Sequence, residues 1–430
     1  MITNHLGTKS PYRYVANINC TKDNNLQGCA KKIWMLVRHG TRNPNVLQIQ
    51  KMQGYLPILK DIILERNSNL SQGYLPILKD IILERNSNLS SSKLQKSDIE
   101  LFENWYPKVN EKDSKKLTIE GEHEMLELAE RMQARFPDLL PPVYSNTSYK
   151  FKFTNTQRTK KSAENFAVGL FGKKTAKDVY FPEPIKHDAV LRFYKMCSKW
   201  ISNVKHNDST YAERQIFENS LLMKEALRKI SKKLNFENML SFDDVNLMYT
   251  TCAFETAWTS NTKSPWCIPF DIDTIKVMEY SEDLKYYWVD GYGKEITYKQ
   301  ACIAFNNMLN FMTAEDPYPH AVLYFTHSGT LLKMLSHLNL YREDKPLRAA
   351  DYNDNHNRKW RVSKIDTFGS NLAFILHKCN GEKKLLVLHN EVPVKLPSCP
   401  DNELCDLQKI KDYYSSSITD CSFDSICENN

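Results

Sequence analysis

The stretch Lys31-Lys32-Ile33-Trp34-Met35-Leu36-Val37-Arg38-His39-Gly40-Thr41-Arg42-Asn43-Pro44 decides how the chain is read. Its first half is a short apolar run, the length and composition of a buried strand. Its second half turns polar at once and carries a Gly and a Pro. A strand that ends this way before a helix places ligands at the carboxyl edge of an open α/β sheet. Gly40 lets the backbone turn tightly and lets a ligand come close to it. Arg38 and Arg42 flank His39 with planar forks that match phosphate oxygens. A neutral imidazole there can attack phosphorus in line and form a phosphohistidine, splitting one hard hydrolysis into two steps. Fixed cations stabilise the charge that spreads over the transferring phosphoryl oxygens. Any one of these residues alone reads as ordinary surface; the three around a glycine, after a buried strand, point to catalysis.

Downstream, residues 53–71 read QGYLPILKDIILERNSNLS, and residues 72–90 repeat them without a change. Within one copy Tyr55, Ile58, Leu59, Ile62 and Ile63 share a helical face, with Pro57 near the helix start. Two copies are too few for a solenoid. One copy is expected to pack on the sheet and the other to bulge out as an insertion. Thr118-Ile119-Glu120-Gly121-Glu122 opens a helix that runs to Arg135 and is stopped by Phe136-Pro137. Tyr149 to Phe153 alternates as a strand, and Ser162 to Phe171 reads as a helix. Residues 188–310 are helical in pattern, with no strong strand. Ala321 to Phe325 is again a buried strand, ending at Thr326-His327-Ser328-Gly329, and Leu331 to Leu340 is a helix. Leu372 to Leu376 and Leu385 to Leu388 form a hairpin around Gly381. The expected architecture is α/β: a mixed sheet flanked by helices, with residues 28–187 and 311–430 as the core and 188–310 as a mostly helical inserted domain over the active site.

The net charge of +7 over 430 residues suits a small anionic substrate. No dense Lys/Arg block argues for nucleic acid, and no apolar run is long enough to span a bilayer. The first residues show no basic start followed by an apolar stretch, so no leader is expected from them. The 11 cysteines form no Cys-x-x-Cys and no zinc-spaced cluster, so no metal site or other cofactor is expected. Cys20, Cys29, Cys379, Cys399, Cys405, Cys421 and Cys427 gather near the ends, where disulfides staple secreted domains. An odd count leaves at least one thiol free. Sequons at Asn19, Asn69, Asn88, Asn146 and Asn207 fit a secretory glycoprotein. Gly169 to Thr175 lacks the Gly-Lys-Ser/Thr ending of a P-loop, and no Gly-x-Ser-x-Gly exists for a serine hydrolase. The run Trp288 to Gly293 reads as packing and a turn.

Two further strand ends matter. Thr154-Asn155-Thr156-Gln157-Arg158-Thr159 follows one strand, and Arg158 could supply a third cation. His327 closes another and could donate to phosphoryl oxygens. With these pieces the chain resembles the histidine acid phosphatases, in the branch of the multiple inositol polyphosphate phosphatases. The resemblance rests on Val37 to Pro44, Arg158 to Ala163, Leu191-Arg192-Phe193-Tyr194, Phe254-Glu255-Thr256-Ala257-Trp258 and His327 to Leu332, and runs from about Leu6 to Cys427. It implies that His39 is the nucleophile, that Arg38, Arg42 and Arg158 bind phosphate, and that His327 also contacts it. It implies a helical insertion roofing the pocket and substrates such as inositol hexakisphosphate and 2,3-bisphosphoglycerate. It further implies residence in the endoplasmic reticulum lumen or outside the cell. The chain departs from that branch where His-Ala-Glu is replaced by His327-Ser328-Gly329. The missing Glu would protonate the leaving alkoxide, and loss of a general acid typically costs about 10²–10⁴ in rate. Glu315 and Asp316, just before the strand, are conceivable substitutes, but read first as ordinary solvated loop carboxylates. Two readings follow: a metal-independent phosphomonoesterase, or a polyanion-binding relative whose turnover is weakened or lost.

Overall fold

The computed structural model describes residues 2–18, 29–67, 94–316 and 318–428. The second repeat copy, 72–90, and Cys20 lie outside them. The predicted strand is β1, Ala30–Arg38; it is joined by β2 (Tyr149–Phe153), β3 (Ala321–Thr326), β4 (Asn371–Cys379), β5 (Glu382–His389), β6 (Val392–Pro393) and β7 (Leu404–Asp406). They build one seven-stranded sheet in the order β2-β3-β1-β4-β5-β6, with β7 also on β5. β1 is parallel to β3 and β3 to β2, whereas β4 runs antiparallel to β1. Register pairs Arg38 with Thr326, Phe153 with Phe325, and Val37 with both Phe325 and Asn371. The carboxyl ends of three strands and the start of a fourth therefore share one edge. The β4–β5 hairpin turns through Asn380 and Gly381, at φ 50° and 85°, the two positive values a tight two-residue turn requires.

The sheet is mixed α/β and buried on both faces. Ile33, Met35, Val37, Leu323, Phe325, Ala373 and Ile375 face one core. There they meet the paired helices α3 (Ile119–Arg135) and α4 (Gln157–Thr175) through Met125, Leu128, Met132, Phe166 and Leu170. Thr118 starts α3 by accepting from the Gly121 amide at 3.2 Å. Trp34, Leu36, Val322, Tyr324, Leu372 and Phe374 face the other core. It is covered by α1 (Val46–Asn67), α2 (Lys96–Glu103), α5 (Leu221–Lys233), α6 (Phe242–Trp258), α7 (Ile272–Asp290), α8 (Cys302–Thr313) and α9 (Ser328–His337). Among the described residues, 188–310 hold helices and no strand, and their apolar side chains join this same core.

Three expectations shift. The helix of the first repeat copy starts upstream of the copy, at Val46, so Pro57 lies inside it. Its buried face is Ile49, Met52, Leu56, Leu59 and Ile63, an unbroken three-and-four spacing. Tyr55 is 41% and Ile58 57% exposed. Leu59 and Ile63 of the expected stripe are therefore buried, while Tyr55 and Ile58 give way to Leu56 and to Ile49 and Met52, which precede the repeat. The helix expected at Ser162 begins at Gln157, and that expected at Leu331 begins at Ser328; Arg158 and Ser328 thus sit on first helical turns.

Five disulfides, Cys29–Cys379, Cys197–Cys427, Cys252–Cys267, Cys302–Cys421 and Cys399–Cys405, use ten of the eleven cysteines. Four of the five involve the carboxyl-terminal segment from Cys379 onward, as the clustering predicted. No helix among the described residues is long and apolar enough to cross a membrane.

Candidate active site

β1 delivers Arg38 and His39 to the shared edge, β3 delivers His327, and the turn after β2 delivers Arg158. Backbone bonds hold the junction. The His39 amide donates to Thr326 O at 3.0 Å, that of Arg38 to Ser370 O at 2.8 Å, and that of Thr154 to Phe325 O at 3.2 Å. The loop after His39 lies directly on α3. A Cβ on Gly40 would fall 2.4 Å from Gly121 O, and one on Gly121 2.2 Å from Thr41 O. Only a glycine on each side permits that approach. Glu124, also on α3, accepts from the Thr41 amide at 2.6 Å, the Thr41 hydroxyl at 2.9 Å and the Tyr12 amide at 3.1 Å. Burial nevertheless pushes this carboxyl up to about 7, against those hydrogen bonds.

All five predicted residues meet. The rings of His39 and His327 are 5.5 Å apart, edge to face, and both are buried, at 3% and 6% exposure. His39 Nδ1 lies 2.9 Å from Gly40 O. A carbonyl only accepts, so Nδ1 carries the proton and Nε2 keeps its lone pair. His327 has the opposite tautomer. Arg158 Nη2, which only donates, lies 3.2 Å from its Nδ1, and its Nε2–H donates to Thr154 Oγ1 at 2.9 Å. Burial holds both imidazoles well below the usual histidine value, and Arg158, Arg38 and Arg42 push them further down. Arg38 donates to Asp366 O at 2.5 Å and stacks 4.9 Å from the Phe368 ring. Arg42 donates to Asn43 O at 2.7 Å and lies 5.8 Å from the Phe254 ring.

The guanidinium groups press on one another. Burial, then Arg158 and Arg38, lowers Arg42 to about 9. Burial, then Arg192, lowers Arg158 to about 10. The Nε atoms of Arg38, Arg158 and Arg192 are buried and have no hydrogen-bond partner among the described residues. Beyond Arg192 the positive wall continues to Lys195, lowered to about 8 by burial, then Lys205 and Arg192. Donors packed together without acceptors are what an anion site requires.

Sequence reasoning did not single out Arg192, Asp366 or Glu124 for the site. Arg192 lay inside a quoted motif, but nothing local distinguished it from a surface arginine. Asp366 reaches the edge only because β4 runs antiparallel. Glu315 and Asp316 are the solvated loop carboxylates they first read as, and not donors. They precede β3, whose six residues carry the chain roughly 20 Å before His327. Glu315 pairs instead with Lys383 at 2.9 Å. Among the described residues, no group of three His, Cys, Asp or Glu is arranged to hold a metal ion. A surface cleft of about 790 Å³ near Cys379 and Cys399 is lined by none of these site residues.

The profile of the histidine phosphatase superfamily, branch 2, matches residues 31–390. Multiple inositol polyphosphate phosphatase 1 of Drosophila melanogaster is 31% identical over 418 residues, 96% of this chain and 85% of that protein. The protein of the same name from Homo sapiens is 27% identical, across 91% and 80%. The D. castellii phytase superposes with a TM-score of 0.74 at 18% identity, covering 100% of this chain and 88% of that one. The Bifidobacterium longum multiple inositol polyphosphate phosphatase, in complex with inositol hexasulfate, superposes at 0.67 and 15% identity, across 97% and 98%. At these identities the structures speak to the fold. The chain belongs to the histidine phosphatase superfamily, branch 2, and is a phosphatase.

Proposed function

We propose that this phosphatase removes phosphate from inositol polyphosphates, inositol hexakisphosphate among them, through a phosphohistidine on His39. The carrying observation is the free lone pair of His39 Nε2 beside His327, within a set of guanidinium groups that have spare donors. Arg38, Arg42 and Arg158 bind the phosphoryl oxygens, and the anion that arrives offsets their mutual repulsion. Phosphate binding draws Arg158 off His327 Nδ1 and fixes the group for in-line attack. The line of cations through Arg192, Lys195 and Lys205 favours a substrate with several phosphates over one with a single phosphate. The likeness to relatives named for inositol polyphosphates supports the same class. 2,3-Bisphosphoglycerate presents two anionic groups to the same wall and is proposed as a smaller substrate. No metal ion takes part in this scheme, so turnover should persist in EDTA. Five disulfides support residence in an oxidising compartment, the endoplasmic reticulum lumen or the cell exterior.

A second reading, a polyanion binder without turnover, is favoured by one observation: no carboxylate side chain follows His327 at Ser328 or Gly329. Phosphate release from inositol hexakisphosphate decides between them. Wild type should release phosphate and His39→Ala should release none while binding the substrate. Binding by both proteins without release from either would establish the binder.

A further inference from the structure

The step that lacks an owner is protonation of the leaving oxygen. Ser328 follows His327 directly, on the first turn of α9, and is half-buried. Its hydroxyl is hydrogen-bonded to Asp366 Oδ2. Asp366 precedes β4, is fully buried, and carries the carbonyl that holds Arg38. Its other oxygen, Oδ1, has Arg38 Nη1 at 3.4 Å and no hydrogen-bond partner among the described residues. A buried carboxyl is suited to hold a proton; carried on Oδ2, that proton points at Ser328 Oγ and frees the hydroxyl hydrogen for another acceptor, while Oδ1 stays beside Arg38.

We infer that Asp366, acting through the Ser328 hydroxyl, supplies the proton that the leaving alkoxide takes. This rests on the phosphohistidine reading of His39. As His39 Nε2 bonds to phosphorus, the bond from phosphorus to the ester oxygen breaks. That oxygen takes the hydrogen of Ser328 Oγ, and Ser328 takes the proton of Asp366. Asp366 is left as a carboxylate beside Arg38, which stabilises it. In the second half, water attacks the phosphohistidine and returns its proton to Asp366 by the same path. Inorganic phosphate and the alcohol are the net products, and the enzyme is unchanged.

The resting state agrees. Burial pushes the Asp366 carboxyl up to about 7, and the neighbouring Asp290 adds to this, against Arg38 and the Ser328 hydrogen bond. Tyr286 also faces it, and burial pushes its hydroxyl up as well. Below about pH 7 the donor carries its proton; above, the proton is lost and with it the donor. Asp290 is the competing carboxylate. A Cβ at Gly329 would lie 3.3 Å from its Oδ1. That oxygen is ion-paired with the buried Lys333, which also sits over the Trp200 ring at 4.2 Å. Asp290 therefore spends its oxygen on a structural partner, whereas Asp366 is bonded to the hydroxyl of the half-buried Ser328, next to His327.

Two esters separate donor loss from general damage. p-Nitrophenolate leaves without protonation; the alkoxides of inositol hexakisphosphate do not. Asp366→Asn should slow inositol hexakisphosphate turnover by about 10²–10⁴ and leave the p-nitrophenolate burst within about tenfold of wild type. It should also remove the fall of kcat/KM that wild type shows above about pH 7. Ser328→Ala, a small change at a half-buried site, should show the same ester selectivity and covers the case in which Asp366→Asn does not fold. Equal loss on both esters in the burst, loss on neither, or ester-selective loss in Asp290→Asn instead would overturn the assignment. His39→Ala is run alongside: a burst that survives it refutes the nucleophile, whatever Asp366 does.

Discussion

His39 is useful because its surroundings keep it neutral and fix its tautomer. The Gly40 carbonyl holds the Nδ1 proton, and burial, with Arg158, Arg38, His327 and Arg42, keeps Nε2 unprotonated well below pH 6.5. A lowered pKa means the reactive form survives acidification. The acid limb of kcat/KM should therefore show no fall near pH 6.5 and break only well below it; a pH profile from 3 to 9 checks this. The glycine pair is equally decisive. Gly121→Ala puts a methyl group onto the Thr41 backbone, at 2.2 Å from its oxygen, where nothing soft can yield. Overpacking of this kind costs about 1–3 kcal/mol, and the loop that moves is the one carrying His39. The expected outcome is a modest drop in Tm with at least a hundredfold loss of kcat, measured by calorimetry and phosphate release.

Among elements, α1 shows how a duplicated segment can be read one stripe out of place. Leu56 is fully buried and Ile58 is 57% exposed, although the segment read alone favours the stripe that contains Ile58. Leu56→Ala should cost about 2–5 kcal/mol, and Ile58→Ala should change stability by less than about 0.5 kcal/mol, both from urea unfolding. Equal effects would show that the helix is turned. The strands that form the site edge needed no such correction: β1 and β3 were legible as short apolar runs with polar ends, and β2 by its alternation of Lys with aromatic residues. Helix starts were less legible. Arg158 and Ser328 belong to first turns whose residues are polar and functional, so the apolar periodicity that marks a helix begins only after them.

In the whole molecule, disulfides hold distant segments on a core that already surrounds the sheet. Cys302–Cys421 and Cys197–Cys427 anchor the carboxyl-terminal segment to α8 and to the turn before Trp200. Cys302→Ser with Cys421→Ser should lower stability by about 2–5 kcal/mol while leaving kcat per folded molecule unchanged, because neither α8 nor the carboxyl-terminal segment that carries Cys421 holds a site residue. Reduction by dithiothreitol should lower Tm further. An unchanged Tm in both experiments would show that the bonds are not formed in solution.

By itself the sequence determined the strand before Arg38, the helices around it, and the residue types of phosphoryl transfer at His39, because these depend on local spacing and on side-chain chemistry. The tertiary structure alone decided that β1, β2, β3 and the start of β4 end together. That decision brought Arg192 to His327, brought Asp366 to Arg38, and sent Glu315 to the far end of the sheet. Strand order and direction are chosen by how both faces are buried at once, a property of the assembled core that no single segment carries.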